Sequence, residues 1–459
     1  HPSVSLKEAR QLKIRLIKTA SAYASSVGSD LNAAEGSFLA LGHLSSRLIY
    51  YSRLDITGEI SDVGQTFPPL SILASTYLST QEALFDAYAQ LWTSGIFIMK
   101  QDTNDESFRD KVLTQFVEPL MNQGKKGNEK AIVALGRLAI ALRSSMAPFP
   151  QGKAEEILDL ILEKLYSLYE IKQLETQFAI GEAITAAVGC WDADVVQLTI
   201  DVEIGENGLQ LPRQSNRLKA VLQKLFTDCK QTKPSLLKAS GIWLFCLIQY
   251  CSHLDEIQSR LRECQLAFMK LLSARDEVVQ ETASRGLSLV YEKGDATLKE
   301  TLVRDLVSTF TGSGPQLKVD HETELFDTGA LSTGDGKSIT SYKDIISLAN
   351  EVGDPSLVYK FMSLATNAAT WSTRSAFGRF GLSNILSESE VDPKLYPKLY
   401  RYRFDPNPNV QRSMNDIWKA IVKNPGAVLE HHFESIISDL LKSVLGREWR
   451  VREASCAAI

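Results

Sequence analysis

A helix–turn–helix unit between residues 395 and 421 constrains the fold of this chain more than any other stretch. An apolar helix end, Tyr396–Tyr402, runs into the turn Asp405-Pro406-Asn407-Pro408, and the two X-Pro steps predict that the first helix stops there. Asn407 or Asn409 can cap a second helix, and the second proline suits its first turn. The second helix then carries five apolar residues on one face: Val410, Met414, Ile417, Trp418 and Ile421.

The same unit recurs elsewhere in the chain. After a turn at 446–448, a further helix begins at Trp449, and setting its Val451 on Val410 gives a spacing of 41 residues. The helix before that turn has an apolar face of Ile436, Ile437, Leu440, Leu441 and Val444. An upstream copy has a first helix with Ile257, Leu261, Cys264, Phe268 and Leu271, and a second with Val279, Ala283, Leu287 and Val290.

Helix pairs that repeat every 40–47 residues or so are typical of HEAT and armadillo arrays. We therefore predict an all-α fold, an α-solenoid of HEAT/armadillo-like antiparallel helix pairs, with about eleven pairs in 459 residues. The predicted organisation is helical repeats over residues 1–310, a long loop over 311–340, and repeats of the same solenoid over 341–459. Three valines should be buried between repeats, each with a partner one turn on: Val279, Val410 and Val451, with Ala283, Met414 and Ser455.

Apolar periodicity and breaks rich in Gly, Asn, Pro or Asp predict the other helices. Small residues recur in alternate helices at Gly36, Ala87, Ala134 and Gly181, with gaps of 51, 47 and 47 residues, and should allow close helix packing. The predicted helices are Leu6–Ala24, Asn32–Tyr51, Leu70–Tyr77, Thr80–Ile98, Ser107–Met121, Glu129–Ser145, Ala154–Tyr169, Leu174–Cys190, Arg217–Cys229, Ser235–Ser252, Leu254–Leu272, Asp276–Tyr291, Thr297–Phe310, Ser341–Glu351, Pro355–Ala365 and about Trp371–Leu386.

Composition disfavours several classes of function. The 50 basic and 55 acidic residues give a net charge of −5, so we expect no nucleic-acid partner. The longest apolar run, Gly241–Ile248, is too short to span a bilayer, so we expect no membrane insertion. Six cysteines without a CxxC pair, mostly at apolar helix positions, are typical of buried thiols in a reduced compartment. We also expect the chain to be an internal segment of a longer protein.

Motifs for catalysis or ligand binding are incomplete. Gly334–Ser338 ends like a phosphate-binding loop, but Leu331 stands where the first glycine is required, so we expect no nucleotide binding through Lys337. His431 and His432 are adjacent and do not share one side of a helix, and HExxH and GxSxG are both missing. We therefore predict no catalytic, cofactor-binding or metal-binding residues. A basic face on the first helix is either a solvated surface or a contact for an acidic partner: Lys7, Arg10, Lys13, Arg15 and Lys18.

One block of sequence is specific enough to name a family. The segments Thr323–Leu331, Ser341–Ala349 and Asp354–Met362 resemble the proteasome-associated HEAT-repeat adaptors, also called proteasome stabilisers or scaffolds, and so do Leu399–Pro406 and Trp449–Cys456. The resemblance implies a non-enzymatic protein of the cytoplasm and nucleus that binds the 26S proteasome. It also implies bridging of core and regulatory particles, quality control of proteasome assembly, and links to other clients, but no particular contact residue. The alternative is another HEAT scaffold, such as a transport receptor or a phosphatase regulatory subunit, although neither requires the 323–362 block.

The long loop at 311–340 has two interpretations. Its Gly-, Ser-, Thr- and Asp-rich composition favours a disordered linker. The apolar residues Leu325, Phe326, Ala330 and Leu331 favour docking of 323–331 back onto the helices.

Overall fold

The computed structural model describes residues 5–25, 31–51, 70, 78–93, 107–143, 151–189, 214–274, 276–310, 340, 342–352, 393–446 and 449–459. Every regular element within those ranges is helical, which confirms the all-α fold. The helices are α1 (Leu6–Ser25), α2 (Leu31–Tyr51), α3 (Leu78–Thr93), α4 (Phe108–Val112), a π-helical stretch (Leu113–Val117), α5 (Glu118–Gly124), α6 (Glu129–Arg143), α7 (Gln151–Tyr166), α8 (Leu174–Val188), α9 (Ser215–Asp228), α10 (Pro234–Cys251), α11 (Asp255–Gln258), α12 (Leu261–Leu271), α13 (Glu277–Lys293), α14 (Ala296–Phe310), α15 (Tyr342–Val352), α16 (Leu395–Tyr402), α17 (Pro408–Ile421), α18 (Pro425–Val444) and α19 (Trp449–Ala458).

The chain divides into two units. One comprises residues 1–221 with 249–251, and the other comprises residues 222–248 with 252–459. The predicted helices at Leu70–Tyr77, Pro355–Ala365 and Trp371–Leu386 lie largely or wholly outside the described residues, as do 311–339 with Lys337 and the proposed docking segment.

Alternate helices of the first unit form a layer. Helices α2, α3, α6 and α8 each pack on the next, while α1 packs on α2, α5 on α6, and α7 on both α6 and α8. We call α2, α3, α6 and α8 the small-residue layer. Two layers of alternating helices are the arrangement expected for stacked helix pairs.

Glycines allow the backbones of this layer to touch. A Cβ added at Gly42 would lie 2.6 Å from the Cα of Ala87, and one at Gly136 would lie 2.7 Å from the Cα of Ala183. The prediction was right about Ala87, which is fully buried, but wrong about Gly36, where an added Cβ would meet nothing within 4 Å. The seam therefore runs through Gly42, six residues further along α2, because that side of the helix faces α3.

The second unit contains the repeats that the turn motif predicted. Helices α12, α13 and α14 pack on one another, and α16 packs on α17, α18 and α19. We call residues 393–459 the turn-motif region. Its turn is as predicted: Pro408 begins α17, and the Asn407 side chain accepts a hydrogen bond from the backbone N–H of Val410 at 3.4 Å. The Asp405 carboxylate also accepts a hydrogen bond from the backbone N–H of Asn407, at 2.8 Å. Likewise, Asp276 caps α13 by accepting from Val278 and Val279.

Most of the predicted seam residues are buried. Val279 and Val410 are 3% and 4% exposed, and Ala283, Met414 and Ser455 are fully or almost fully buried. Val451 is only half-buried, so its prediction was wrong. Helix α19 instead buries Ala454, Ser455 and Ala458, which leaves its first turn at the edge of the contact.

Two other helices differ from their simplest sequence interpretation. The apolar face of α18 is covered only in part: Ile436 and Leu440 are buried but Leu441 is 57% exposed, since the face that contacts α16 and α19 is narrower than the apolar stripe. The predicted helix Leu254–Leu272 is two helices, α11 and α12. The chain leaves the helical conformation at Arg260, with φ −120° and ψ 13°, and the Arg260 guanidinium then pairs with Glu263 at 2.7 Å.

Candidate protein-binding site

Polar side chains of the first unit connect helices that lie one repeat apart. From α6, Lys130 donates to the carboxylate of Asp86 on α3 at 2.7 Å, and Asn128, just before α6, donates to Glu82 on α3 at 3.3 Å. These partners are 44 and 46 residues apart in sequence. The contacts therefore follow the repeat period.

Arg143 makes the most buried of these connections. Its guanidinium lies in the last turn of α6, is only 4% exposed, and donates to the carbonyl oxygens of Ala186, at 3.0 Å, and Gly189. These carbonyls belong to the C-terminal end of α8, where the last turn of a helix lacks backbone donors. Arg143 thus caps the helix of the following repeat and attaches it to α6.

Arg137 lies two turns earlier on the same helix and is 6% exposed. Burial lowers the pKa of its guanidinium to about 10, and the nearby Glu182 and Tyr250 oppose that shift. The Tyr250 hydroxyl donates to Glu182 at 3.1 Å, so α6, α8 and α10 each contribute one member of this group. With a pKa of about 10 the guanidinium stays charged at neutral pH, so the group is a buried cation beside one carboxylate.

An open groove between α7 and α9 is the candidate protein-binding site of the first unit. Arg217 on its rim pairs with Glu155 at 2.6 Å and with Asp159 at 2.8 Å. Burial lowers the pKa of Arg217, but the hydrogen bonds to Asp159 and Glu155 outweigh burial and raise it above its ordinary value. The lining combines apolar side chains with charged ones: Leu162, Tyr166, Ala220 and Val221, with Asp159, Glu163 and Arg217.

The groove offers an apolar floor next to a carboxylate rim. Its exposed Glu163 keeps a negative charge at the edge, while Arg217 neutralises part of the charge of Asp159 and Glu155. Such a surface suits a protein partner that presents an apolar side chain beside a basic one. Sequence reasoning did not find it: Glu155 and Asp159 stand four residues apart on a predicted helix, but nothing in the sequence aligns that helix with Arg217.

Nucleophilic chemistry has no support among the described cysteines. Burial raises the pKa of the Cys229 thiol to about 11 and that of Cys264 to about 12, so both are protonated near neutral pH. Cys246 and Cys251 are also buried, as predicted, whereas Cys456 is exposed.

The adjacent histidines His431 and His432 lie on α18 and make ring contacts. The rings of His431 and His432 contact each other edge-on, with 4.7 Å between their centroids, and His432 stacks on Tyr396 with 4.6 Å between centroids. The described residues contain no group of three or more His, Cys, Asp or Glu side chains placed to hold a metal ion. Among those same residues, no helix is both long and apolar enough to cross a membrane.

The basic face of α1 is largely exposed, as both of its interpretations require. Lys7, Arg10, Arg15 and Lys18 lie at the surface. Lys13 does not belong to that face, because it is only 3% exposed. Whether the face contacts a partner stays a prediction.

The fold and its repeat-spaced contacts define the class as an α-solenoid of HEAT-like helix pairs. The chain is similar to the solved structure of importin beta, with 12% sequence identity and a TM-score of 0.37; the match covers 99% of this chain and 52% of importin beta. It is also similar to Kap121p bound to Pho4p, with 12% identity and a TM-score of 0.39; that match covers 97% of this chain and 45% of Kap121p. No protein-family model matches the chain.

Curated relatives identify the family. The chain is 43% identical over 321 residues to the "Proteasome component ECM29" of Saccharomyces cerevisiae, which covers 65% of this chain and 17% of the relative. It is 37% identical over 352 residues to the human "Proteasome adapter and scaffold protein ECM29", covering 74% and 18%, and 32% identical over 343 residues to the "Proteasome-associated protein ECM29 homolog" of Drosophila melanogaster, covering 73% and 17%. The chain therefore belongs to the ECM29 family, which confirms the predicted resemblance. It matches less than a fifth of the length of each of these relatives.

Proposed function

We propose that this chain is a proteasome-binding segment of a non-catalytic adaptor and scaffold protein. The observation that carries the proposal is the 43% and 37% identity to relatives named as a proteasome component and as a proteasome adapter and scaffold. These names favour the proteasome adaptor over a transport receptor or a phosphatase regulatory subunit.

The physical character of the chain supports a scaffold. Stacked helix pairs place long surfaces side by side, and each repeat depends only on its neighbours. Buried connections such as those of Arg143 hold successive repeats in a fixed relation, which a binding surface that spans several repeats requires. The raised thiol pKa values of Cys229 and Cys264 fit a role that does not involve nucleophilic catalysis.

The finer parts of the proposal concern what the whole protein does. We propose that the whole protein bridges the core and regulatory particles of the 26S proteasome and takes part in quality control of proteasome assembly. It also connects proteasomes to other clients in the cytoplasm and nucleus. Its partners are proteins, with no role for nucleic acid or membrane insertion.

Purified components test the proposal. The 459-residue chain, fluorescently labelled, is mixed with purified 26S proteasome, isolated core particle or isolated regulatory particle, and each mixture is run on a native gel. We expect the chain to migrate with the 26S proteasome and with at least one of its isolated particles. An importin beta fragment of equal length is the control for non-specific binding by helical repeats. Equal binding of that fragment, or free migration of a folded chain at micromolar concentration, would contradict the proposal.

A further inference from the structure

Arg403 lies at the C-terminal end of α16, inside a cluster of aromatic rings. Its guanidinium carbon is 4.7 Å from the ring centroid of Trp418, 5.6 Å from that of Tyr400 and 5.9 Å from that of Phe404. Its Nε donates a hydrogen bond to the side-chain oxygen of Asn415 on α17 at 2.9 Å. The cation–π contacts with these rings and the hydrogen bond from Nε hold the guanidinium in place.

This fixed cation has no carboxylate partner in the described part of the chain. Neighbouring arginines of the same region do: Arg401 pairs with Asp439 at 2.5 Å, and Arg450 pairs with Asp405 at 2.6 Å. Partial burial lowers the pKa of Arg403, and the nearby Tyr400 side chain opposes part of that shift. Its two Nη groups donate no hydrogen bond to any described residue, so the outer edge of the guanidinium is available to a ligand.

Two further cations lie on the exposed face of α17, on either side of Asn415, which accepts the hydrogen bond from Arg403. Arg412 and Lys419 stand one turn before and one turn after Asn415, and both are exposed. Neither forms an ion pair with any described residue, and Asp416 is the acidic residue on the same side of the helix. Residues 393–459 carry eleven basic and seven acidic residues, although the whole chain has a net charge of −5.

We propose that Arg403, Arg412 and Lys419 form a binding site for an acidic, extended segment of a partner protein. One aspartate or glutamate carboxylate of that segment accepts two hydrogen bonds from the Nη groups of Arg403, the geometry in which a planar guanidinium binds a planar carboxylate best. Arg412 and Lys419 attract the neighbouring carboxylates of the segment.

The surroundings favour a carboxylate segment over single-stranded nucleic acid. Binding of bases requires exposed aromatic faces for stacking, but Trp418 is only 3% exposed and its ring already lies against Arg403. The basic surface is also local, whereas nucleic-acid binding requires a charge distribution that follows a long phosphate backbone. This inference does not depend on the proposed binding to the proteasome, since it rests on the turn-motif region alone.

Synthetic peptides test the site. The probe is a fluorescein-labelled peptide with five Glu-Gly repeats and an amidated C-terminus, titrated by fluorescence anisotropy against the 459-residue chain at low salt. We expect saturable binding that weakens as salt is added, and no binding of the matched peptide with Gln in place of Glu. Arg403→Lys keeps the positive charge but loses the two Nη groups that bind one carboxylate together, and should weaken binding about tenfold. Lys419→Gln should weaken it about threefold.

Control variants separate the site from general charge and from folding. Lys442→Gln removes an exposed charge of α18 that lies outside the site, and should leave the affinity unchanged. Each variant is also melted, and the exposed positions Arg412 and Lys419, replaced together by Gln, keep the test independent of any loss of packing around Arg403. Equal weakening by Lys442→Gln and Lys419→Gln, full affinity in Arg403→Lys, or preferential binding of a single-stranded oligouridine would each overturn the proposal.

Discussion

The small-residue layer and the turn-motif region hold successive helices together in different ways. In the layer, Gly42 and Gly136 let whole backbones come into contact with Ala87 and Ala183. In the turn-motif region, side-chain contacts connect the helices: Asp405 pairs with Arg450, and Arg401 contacts Asp439 and Ser443 on α18. Backbone contact depends on the absence of a side chain, whereas the second type depends on particular side chains, so the two regions should respond differently to substitution.

The largest effect should come from a charge placed in the turn-motif region. Val410→Asp buries a carboxylate in an apolar seam, and we expect a loss of about 3–5 kcal/mol, measured as the shift of the thermal or urea unfolding midpoint. Val451→Asp is the matched control, because Val451 is half-buried and its carboxylate can reach water. If the two variants lose the same stability, the distinction between these valines is wrong.

A slightly smaller effect should arise in the small-residue layer. Gly136→Val places side-chain atoms where even a Cβ would lie 2.7 Å from the backbone of Ala183, so α6 and α8 must separate, at about 3 kcal/mol. Gly36→Val makes the same change on α2, where an added Cβ meets nothing within 4 Å, and should change stability by less than about 0.5 kcal/mol. Similar unfolding midpoints for the two variants would show that the layer is not held by backbone contact.

Alkaline pH should destabilise the stretch of chain between these two regions, because that stretch contains the buried thiols of Cys229 and Cys264. The pKa values of Cys229 and Cys264 are raised to about 11 and 12, above the ordinary thiol value of about 9, so folding favours their protonated forms. Their contribution to stability is fully present below pH 9 and is lost as pH rises through about 11 for Cys229 and about 12 for Cys264. Between pH 9 and 10.5 we expect each thiol to cost about 2 kcal/mol. Cys229→Ala should flatten this loss of stability, and Cys456→Ala, at an exposed position, should leave it unchanged.

The smallest effect concerns a helix cap. Asp276 accepts hydrogen bonds from two backbone N–H groups of α13, and Asp276→Ala should cost about 1 kcal/mol. Asp276→Asn keeps an acceptor at the same place and should be nearly neutral, as read from the unfolding midpoint. A loss as large in the asparagine variant would point to the distant ion pair with Lys238, at 3.7 Å, and not to the cap.

The comparison also explains what could be predicted from the sequence. Proline, asparagine and apolar spacing fix a turn locally, so the Asp405–Pro408 turn, the start of α17 and the burial of Val279 and Val410 were all predicted correctly. The exact seam of the small-residue layer was not, since Gly36 and Gly42 lie on one helix and only the position of α3 decides which of them touches it. The burial of Val451 was predicted wrongly for the same reason, and Leu441 shows it too: periodicity indicates an apolar stripe, but the neighbouring helix decides how much of it is covered.

The candidate binding residues were not predicted because they come together from different helices. Arg217 gains its role from Glu155 and Asp159, and Arg403 gains its own from Trp418 and Asn415. No short-range spacing connects these residues. Arg401 and Arg403 differ by two positions in sequence, yet among the described residues Arg401 is paired with a carboxylate and Arg403 is not.

The central claim is that this chain is itself a proteasome-binding module, and one titration tests it most directly. Purified 26S proteasome is titrated into the labelled 459-residue chain, whose helical content and unfolding midpoint are confirmed beforehand, and binding is followed by fluorescence anisotropy. We predict saturable binding that an excess of unlabelled chain displaces and that Gly136→Val, but not Gly36→Val, weakens. A folded chain that shows no saturable binding would contradict the claim.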